Sequence, residues 1–344
     1  MTALLEVENL TVSLPTPNGY RNAVDGLSLS VAPGEVIGIA GESGSGKTMT
    51  ALSLFGMAPP GARVTGTARL DGTDLLALRG RALRDIRGRQ VAMVSQDPSA
   101  ALHPILTIGT QLTEHMRHHL GISKADALTR AAGLLETVRI PNPERALRSY
   151  PGQFSGGMRQ RIAIAVALAA EPRLLVADEP TTALDVTVQA GILRLLDRLC
   201  AERDMAVIVI THDLGVMSAL ARRVYVMYAG RLAEAGPTGT LLTRPRHPYT
   251  RGLLDALPHP EAGRAPLVPI GGTPPSLGAV PDGCPFHPRC VHAVPACATD
   301  RPGPAPTPGE AASPGPDGVA MADTEPGRHL LACPPDPLRE VVAS

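Results

Sequence analysis

Residues 34–48 read GEVIGIAGESGSGKT, and this stretch constrains the fold more than any other. A short apolar run meets a glycine-rich segment and continues into TMTALSLFG, a helical pattern. Strand, G-x-x-x-x-G-K-[ST], then helix is the context of a phosphate-binding loop. Gly44 and Gly46 let the backbone curl so that its N–H groups converge, and the following helix presents its positive end. Lys47 is placed to reach β- and γ-phosphates, and the Thr48 hydroxyl to bind Mg²⁺. The candidate nucleotide-binding residues are Gly41, Glu42, Ser43, Gly44, Ser45, Gly46, Lys47 and Thr48. The bland alternative is a glycine-rich turn containing a chance lysine, which leaves the flanking elements unexplained.

The rest of the chain supports an α/β fold. VENLTVSL, AVDGLSLSV and GEVIGIAG alternate with turn residues and predict strands over the first 40 residues. RQVAMVSQ (89–96), RLLVADE (173–179) and MAVIVITHD (205–213) are near-continuous apolar runs, as in parallel strands buried on both faces. Helical patterns cover 186–203 and 214–224. HPILTIGTQLTEHMRHHL and KADALTRAAGLLETVRI predict helices within an insertion spanning about 97–170. After Gly236 a short helical piece, PYTRGLLDAL, leads into Pro/Gly-rich sequence, of which 301–319 reads as low-complexity and mobile. The expected division is residues 1–236 and 237–344.

The 32 basic and 32 acidic residues cancel, and aromatic residues make up only 2% with no Trp. Neither a global positive field nor a set of stacking platforms is available for nucleic acid. MTALLEVENL lacks a basic segment followed by an apolar core, so no signal peptide is expected. The longest apolar run, IAIAVALAA, is far short of the roughly 20 residues a membrane-spanning helix needs.

Other polar residues stand at predicted strand ends. RLLVADE closes on Asp178, suited to hold a metal, and Glu179, suited to orient an attacking water. A carboxylate pair there can also simply cap the next helix. Gln96 ends VAMVSQ and His212 ends MAVIVITHD, both poised to sense a γ-phosphate.

Together these residues resemble the ABC transporter ATPases over about residues 4–235. FSGGM resembles that family's signature, with Met158 where Gln is commonest. TTALD (181–185) resembles its D-loop and contributes Asp185, VSQDP contains its Q-loop Gln96, and THD contains its switch His212. The resemblance implies a P-loop NTPase core with a mixed sheet, a helical subdomain and Mg²⁺ held by Thr48, Gln96 and Asp178. It also implies that Ser155, Gly156 and Gly157 cover ATP bound in a second ATPase subunit. Such a patch is otherwise an ordinary serine cap with glycines. An aromatic upstream of the loop stacks on adenine in the family; Tyr20 suits that role or is an exposed turn residue.

Cys284, Cys290, Cys297 and Cys333 lie in the last 61 residues, separated by 5, 6 and 35 residues. These spacings match neither common zinc pairs nor ferredoxin runs. The segment from His247 to Pro258, followed by GCPF..RC, resembles the di- and oligopeptide branch of ABC importers. That resemblance implies a [4Fe–4S] cluster on the four thiolates, with Zn²⁺ the competitor and unligated cysteines the alternative. The long spacer is no obstacle, since each doubling of a loop costs only about 0.6 kcal/mol. Cys200 sits among apolar residues and is expected to be buried core.

The branch further implies a heterodimer with a second ATPase subunit, two permease subunits, an extracytoplasmic substrate-binding protein, and a peripheral position on the cytoplasmic face of the membrane. Nickel, glutathione or another small solute is an alternative cargo. A soluble ABC-type ATPase with a metal-cluster sensor is an alternative function.

Overall fold

β1 (Leu5–Thr16) buries Leu5, Val7, Leu10 and Val12, and a break in that alternation coincides with bulges in its pairing. The computed structural model describes residues 3–181, 186–257, 268–306, 329–333 and 337–338. They form two compact units, one of residues 1–32, 37–76 and 211–344, the other of 33–36 and 77–210.

In the first unit β1 pairs antiparallel with β2 (Gly19–Val31) and with β4 (Arg63–Leu70), which in turn pairs with β5 (Thr73–Asp74). β3 (Val36–Ala40) is buried at every residue and leads into the helix Lys47–Leu54. In the second unit β6 (Val91–Val94) pairs parallel with β7 (Leu174–Asp178), and β7 with β8 (Ala206–Thr211). Their burial on both faces matches their uninterrupted apolar sequence.

Helices Ile108–Leu120, Lys124–Thr137 and Gly156–Leu168 occupy the predicted insertion. Thr107 and Ser123 cap the first two by accepting from Thr110 N and Asp126 N, worth about 1 kcal/mol each. Gln111 accepts from His103 N and donates to the His103 and Leu106 carbonyls, holding the entry loop. Cys200 is buried and its thiol donates to Met205 O, as a core cysteine should. Among the described residues no helix is long and apolar enough to cross a membrane.

One expected helix is shorter than its pattern. The segment 214–224 is helical only through Leu220, because Arg223–Tyr228 forms β9, parallel to β3. Arg223 is buried there, and its guanidinium donates to Ser30 O and the Tyr225 hydroxyl, so donors of a core arginine meet acceptors. β10 (Arg231–Pro237) runs antiparallel to β9. β11 (Ala305–Pro306) pairs with β12 (Leu330–Leu331), and β12 joins β10, returning the C-terminal chain to this unit. The low-complexity segment falls largely outside the described residues, which resume at His329.

That return depends on a buried carboxylate. Glu234 is fully buried, accepting from Arg246 N and His247 N while His329 Nε2 lies 2.5 Å from it. His247 caps the helix Pro248–Asp255, its Nδ1 accepting from Tyr249 N. Burial lowers the His247 pKa to about 4, against the opposing pull of Glu234. The unfolded chain, with an ordinary imidazole near 6.5, takes up the proton first, so stability should fall as pH drops from about 6.5 toward 4. The loss should reach roughly 3 kcal/mol. Thermal unfolding across that range checks it: His247→Asn, which keeps a cap acceptor without a titrating ring, should flatten the curve.

Candidate nucleotide-binding site

In the first unit, β3 ends in a tight loop whose lysine turns back on it. Lys47 Nζ donates to Gly41 O at 2.7 Å and Glu42 O at 2.9 Å. Gly230 N donates to Ser45 O, fixing the middle of the loop. Gly46 precedes the helix with φ at 101°, and no side chain caps that helix terminus. A Cβ on Gly46 would lie 2.6 Å from Ala23 O, so steric room and dihedral both require glycine. Ser43, Gly44 and Thr48 are exposed, whereas Ser45 and Lys47 are buried. The arrangement is that of an anion cradle with its lysine parked on loop carbonyls.

His212 follows β8 and is exposed, with Asp213 capping the next helix. Tyr20 stands in β2 rather than in the predicted loop. The Arg63 guanidinium covers one face of its ring at 3.8 Å from the centroid, and its hydroxyl donates to Gly61 O.

Glu42, nominated for its loop backbone, is gripped from elsewhere in this unit. Its N–H donates to the Tyr249 hydroxyl at 2.7 Å, and its carboxylate accepts both Nη atoms of Arg289 at 2.6 and 3.0 Å. This bond raises the Arg289 pKa further, and burial raises that of Tyr249, so the pair stays cation and phenol. Sequence reasoning missed both residues. They lie 207 and 247 positions from Glu42, and no local pattern announces such a contact.

In the second unit, Asp178 ends β7 in a buried position. Glu179 adopts φ of 47°, uncommon for a non-glycine residue and costing about 1 kcal/mol or more. Its N–H donates to Ile210 O, and Gln96 Nε2 donates to its carboxylate at 3.1 Å. Two residues nominated separately from two strand ends therefore meet. Ser155 caps the helix Gly156–Leu168 by accepting from Met158 N. Gly157 packs so that a Cβ would lie 2.8 Å from Val188 Cγ1. Asp185 lies outside the described residues.

The segment carrying Cys284, Cys290 and Cys297 lies in the first unit and is held by backbone bonds. Cys284 N donates to Cys297 O, and Cys290 N to His287 O. Burial pushes the Cys284 thiol up and the nearby Cys297 adds to it; Cys290 is raised by burial and by both neighbours. Cys284 lines a cavity of about 20 Å³ with Phe286, His247 and Ala332, the residue before Cys333. None of the five cysteines is in a disulfide. Among the described residues, no group of three or more His, Cys, Asp or Glu is already gathered as a metal site.

The family "ABC transporter" matches residues 24–182, and "Oligopeptide/dipeptide transporter, C-terminal region" matches 233–297. The oligopeptide transport ATP-binding protein OppD of Salmonella typhimurium is 46% identical over 294 residues, covering 86% of this chain and 88% of that protein. This chain belongs to the ABC transporter family. The dipeptide transport ATP-binding protein DppD of Bacillus subtilis is 48% identical, covering 88% of this chain and 91% of that protein. The dimeric ATP-binding cassette MJ0796, solved in a post-hydrolysis state with ADP and Pi, superposes with a TM-score of 0.62. It is 28% identical, over 68% of this chain and 98% of that one. In this ABC protein the shape of the loop should be indispensable. Gly46→Ala should lose at least roughly tenfold in ATP affinity, because the loop must move to seat the methyl group; equilibrium titration of the purified subunit measures it.

Proposed function

We propose that this chain is the ATP-binding and hydrolysing subunit of an importer of di- or oligopeptides. The Gln96–Glu179 bond carries the chemical part of the reading: a carboxylate on a strained backbone, steadied by an amide, is suited to orient an attacking water. Lys47 and the loop N–H groups would hold the β- and γ-phosphates, Thr48, Asp178 and Gln96 the Mg²⁺, and His212 the γ-phosphate. Tyr20 would stack on the adenine. Its face toward Arg63 is covered, which favours contact through the ring's other side.

Ser155, Gly156, Gly157 and Asp185 act, in this reading, on nucleotide held by a second ATPase subunit, favoured as a different chain. Two permease subunits and an extracytoplasmic substrate-binding protein complete the assembly, with this subunit peripheral on the cytoplasmic face. The peptide class rests on the relatives named above and on the C-terminal match. Glu179→Gln should keep ATP binding, reduce turnover at least a hundredfold, and accumulate the closed pair of ATPase subunits. Gel filtration with ATP, together with phosphate release, checks this; normal hydrolysis would remove Glu179 from the role.

A [4Fe–4S] cluster on Cys284, Cys290, Cys297 and Cys333 remains part of the proposal, with Zn²⁺ as its alternative. Burial raises the Cys284 and Cys290 thiols, and a bound cation would stabilise their ionised forms. β12 brings the chain ahead of Cys333 back to β10. Bound there, the metal would staple a segment too poor in apolar groups to hold itself. Anaerobically purified protein should contain about four irons per chain and absorb visible light; stoichiometric zinc without colour would overturn the iron assignment.

A further inference from the structure

Glu42 places a carboxylate in a loop built for a polyanion. Anions there are opposed by like charge unless the carboxylate is neutralised. The neutralising group comes from the far end of the chain. Arg289 forms a bidentate pair with Glu42, the geometry in which a guanidinium binds a carboxylate most strongly. The Arg289 side chain is only 4% exposed, against 25% for Glu42. Its remaining donors are also engaged: Nε donates to Gly271 O at 2.8 Å and Nη1 to the Tyr228 hydroxyl at 3.2 Å.

Its position is built in. Arg289 closes a single 3-10 turn, His287–Arg289, with its N–H donating to Phe286 O. Phe286 packs at 5.2 Å against Tyr228 and 5.3 Å against Tyr249. The Tyr249 hydroxyl, on a fully buried ring, then receives the Glu42 N–H. Side chain, N–H and carbonyl of Glu42 are thus held by Arg289, Tyr249 and Lys47.

We propose that Arg289 and Tyr249 are positioning residues for the nucleotide loop, Arg289 cancelling the Glu42 charge so that the triphosphate is not repelled. The inference rests on ATP being the ligand of this loop, as proposed above. Neither residue touches nucleotide in this assignment. The C-terminal segment, outside the cassette match at 24–182, thereby sets the affinity of the cassette.

The test is equilibrium ATP binding by the full-length subunit without Mg²⁺, so that no hydrolysis intervenes, with thermal unfolding in parallel. Arg289→Met should weaken binding by roughly tenfold, with the loss smaller at high salt. Glu42→Gln alone removes a carboxylate from the loop while Arg289 keeps its charge, so it should bind ATP more tightly than wild type. The double variant should recover most of the lost affinity, because the repelling charge is gone although the tether is too. Arg289→Lys, which keeps the charge and loses the fork, should stay within about threefold of wild type and guards against a folding defect in the Met variant. Tyr249→Phe should cost a few-fold in affinity with its ring packing kept. An Arg289→Met protein that binds like wild type, or a double variant as weak as the single, would overturn the proposal and leave Arg289 a structural tether. Wild-type protein that binds no ATP would instead sink the nucleotide reading beneath it.

Discussion

A buried strand that stops at a ligand site must hand its backbone polar groups to something other than the next strand. β3 is buried along its length, and its chain then turns through three glycines with positive φ at 41, 44 and 46. The carbonyls of Gly41 and Glu42 accept from the Lys47 ammonium, and that of Ser45 from Gly230 N. Ser45 N also donates to Glu42 O, so the loop holds its curl through these bonds before any phosphate binds. Arg289 and Tyr249, gripping Glu42, extend the same logic: the loop is braced on its outer side.

The second unit meets a comparable constraint differently. β7 ends at Asp178, and Glu179, the next residue, takes a left-handed conformation. Its N–H to Ile210 O and the Gln96 amide on its carboxylate hold that conformation. Strain retained at a residue nominated for water activation fits a site in which geometry outranks stability.

The C-terminal segment has few apolar groups, and polar ones hold it. Glu234, wholly buried, satisfies two main-chain N–H groups and faces His329. A buried charge so fully partnered adds little net stability, while removing a partner is costly, so its main effect is to specify one arrangement. That arrangement delivers the aromatic cluster of Tyr228, Tyr249 and Phe286 behind the nucleotide loop.

By itself, the sequence determined the α/β class, the loop at 41–48, the strand-end residues Gln96, Asp178, Glu179 and His212, and the helices of the insertion. Each is a local signal: an apolar run, a glycine spacing, a cap. β4 and β10 escaped it because RVTGTARL and RLAEAGP lack a clean alternation, and β9 was masked by a helical pattern that runs into it. Only tertiary structure decided that Gln96 meets Glu179, that Arg63 covers Tyr20, and that Arg289 neutralises Glu42. Such pairings join residues tens to hundreds of positions apart, and they arise from how strands and turns pack, which no window of sequence contains.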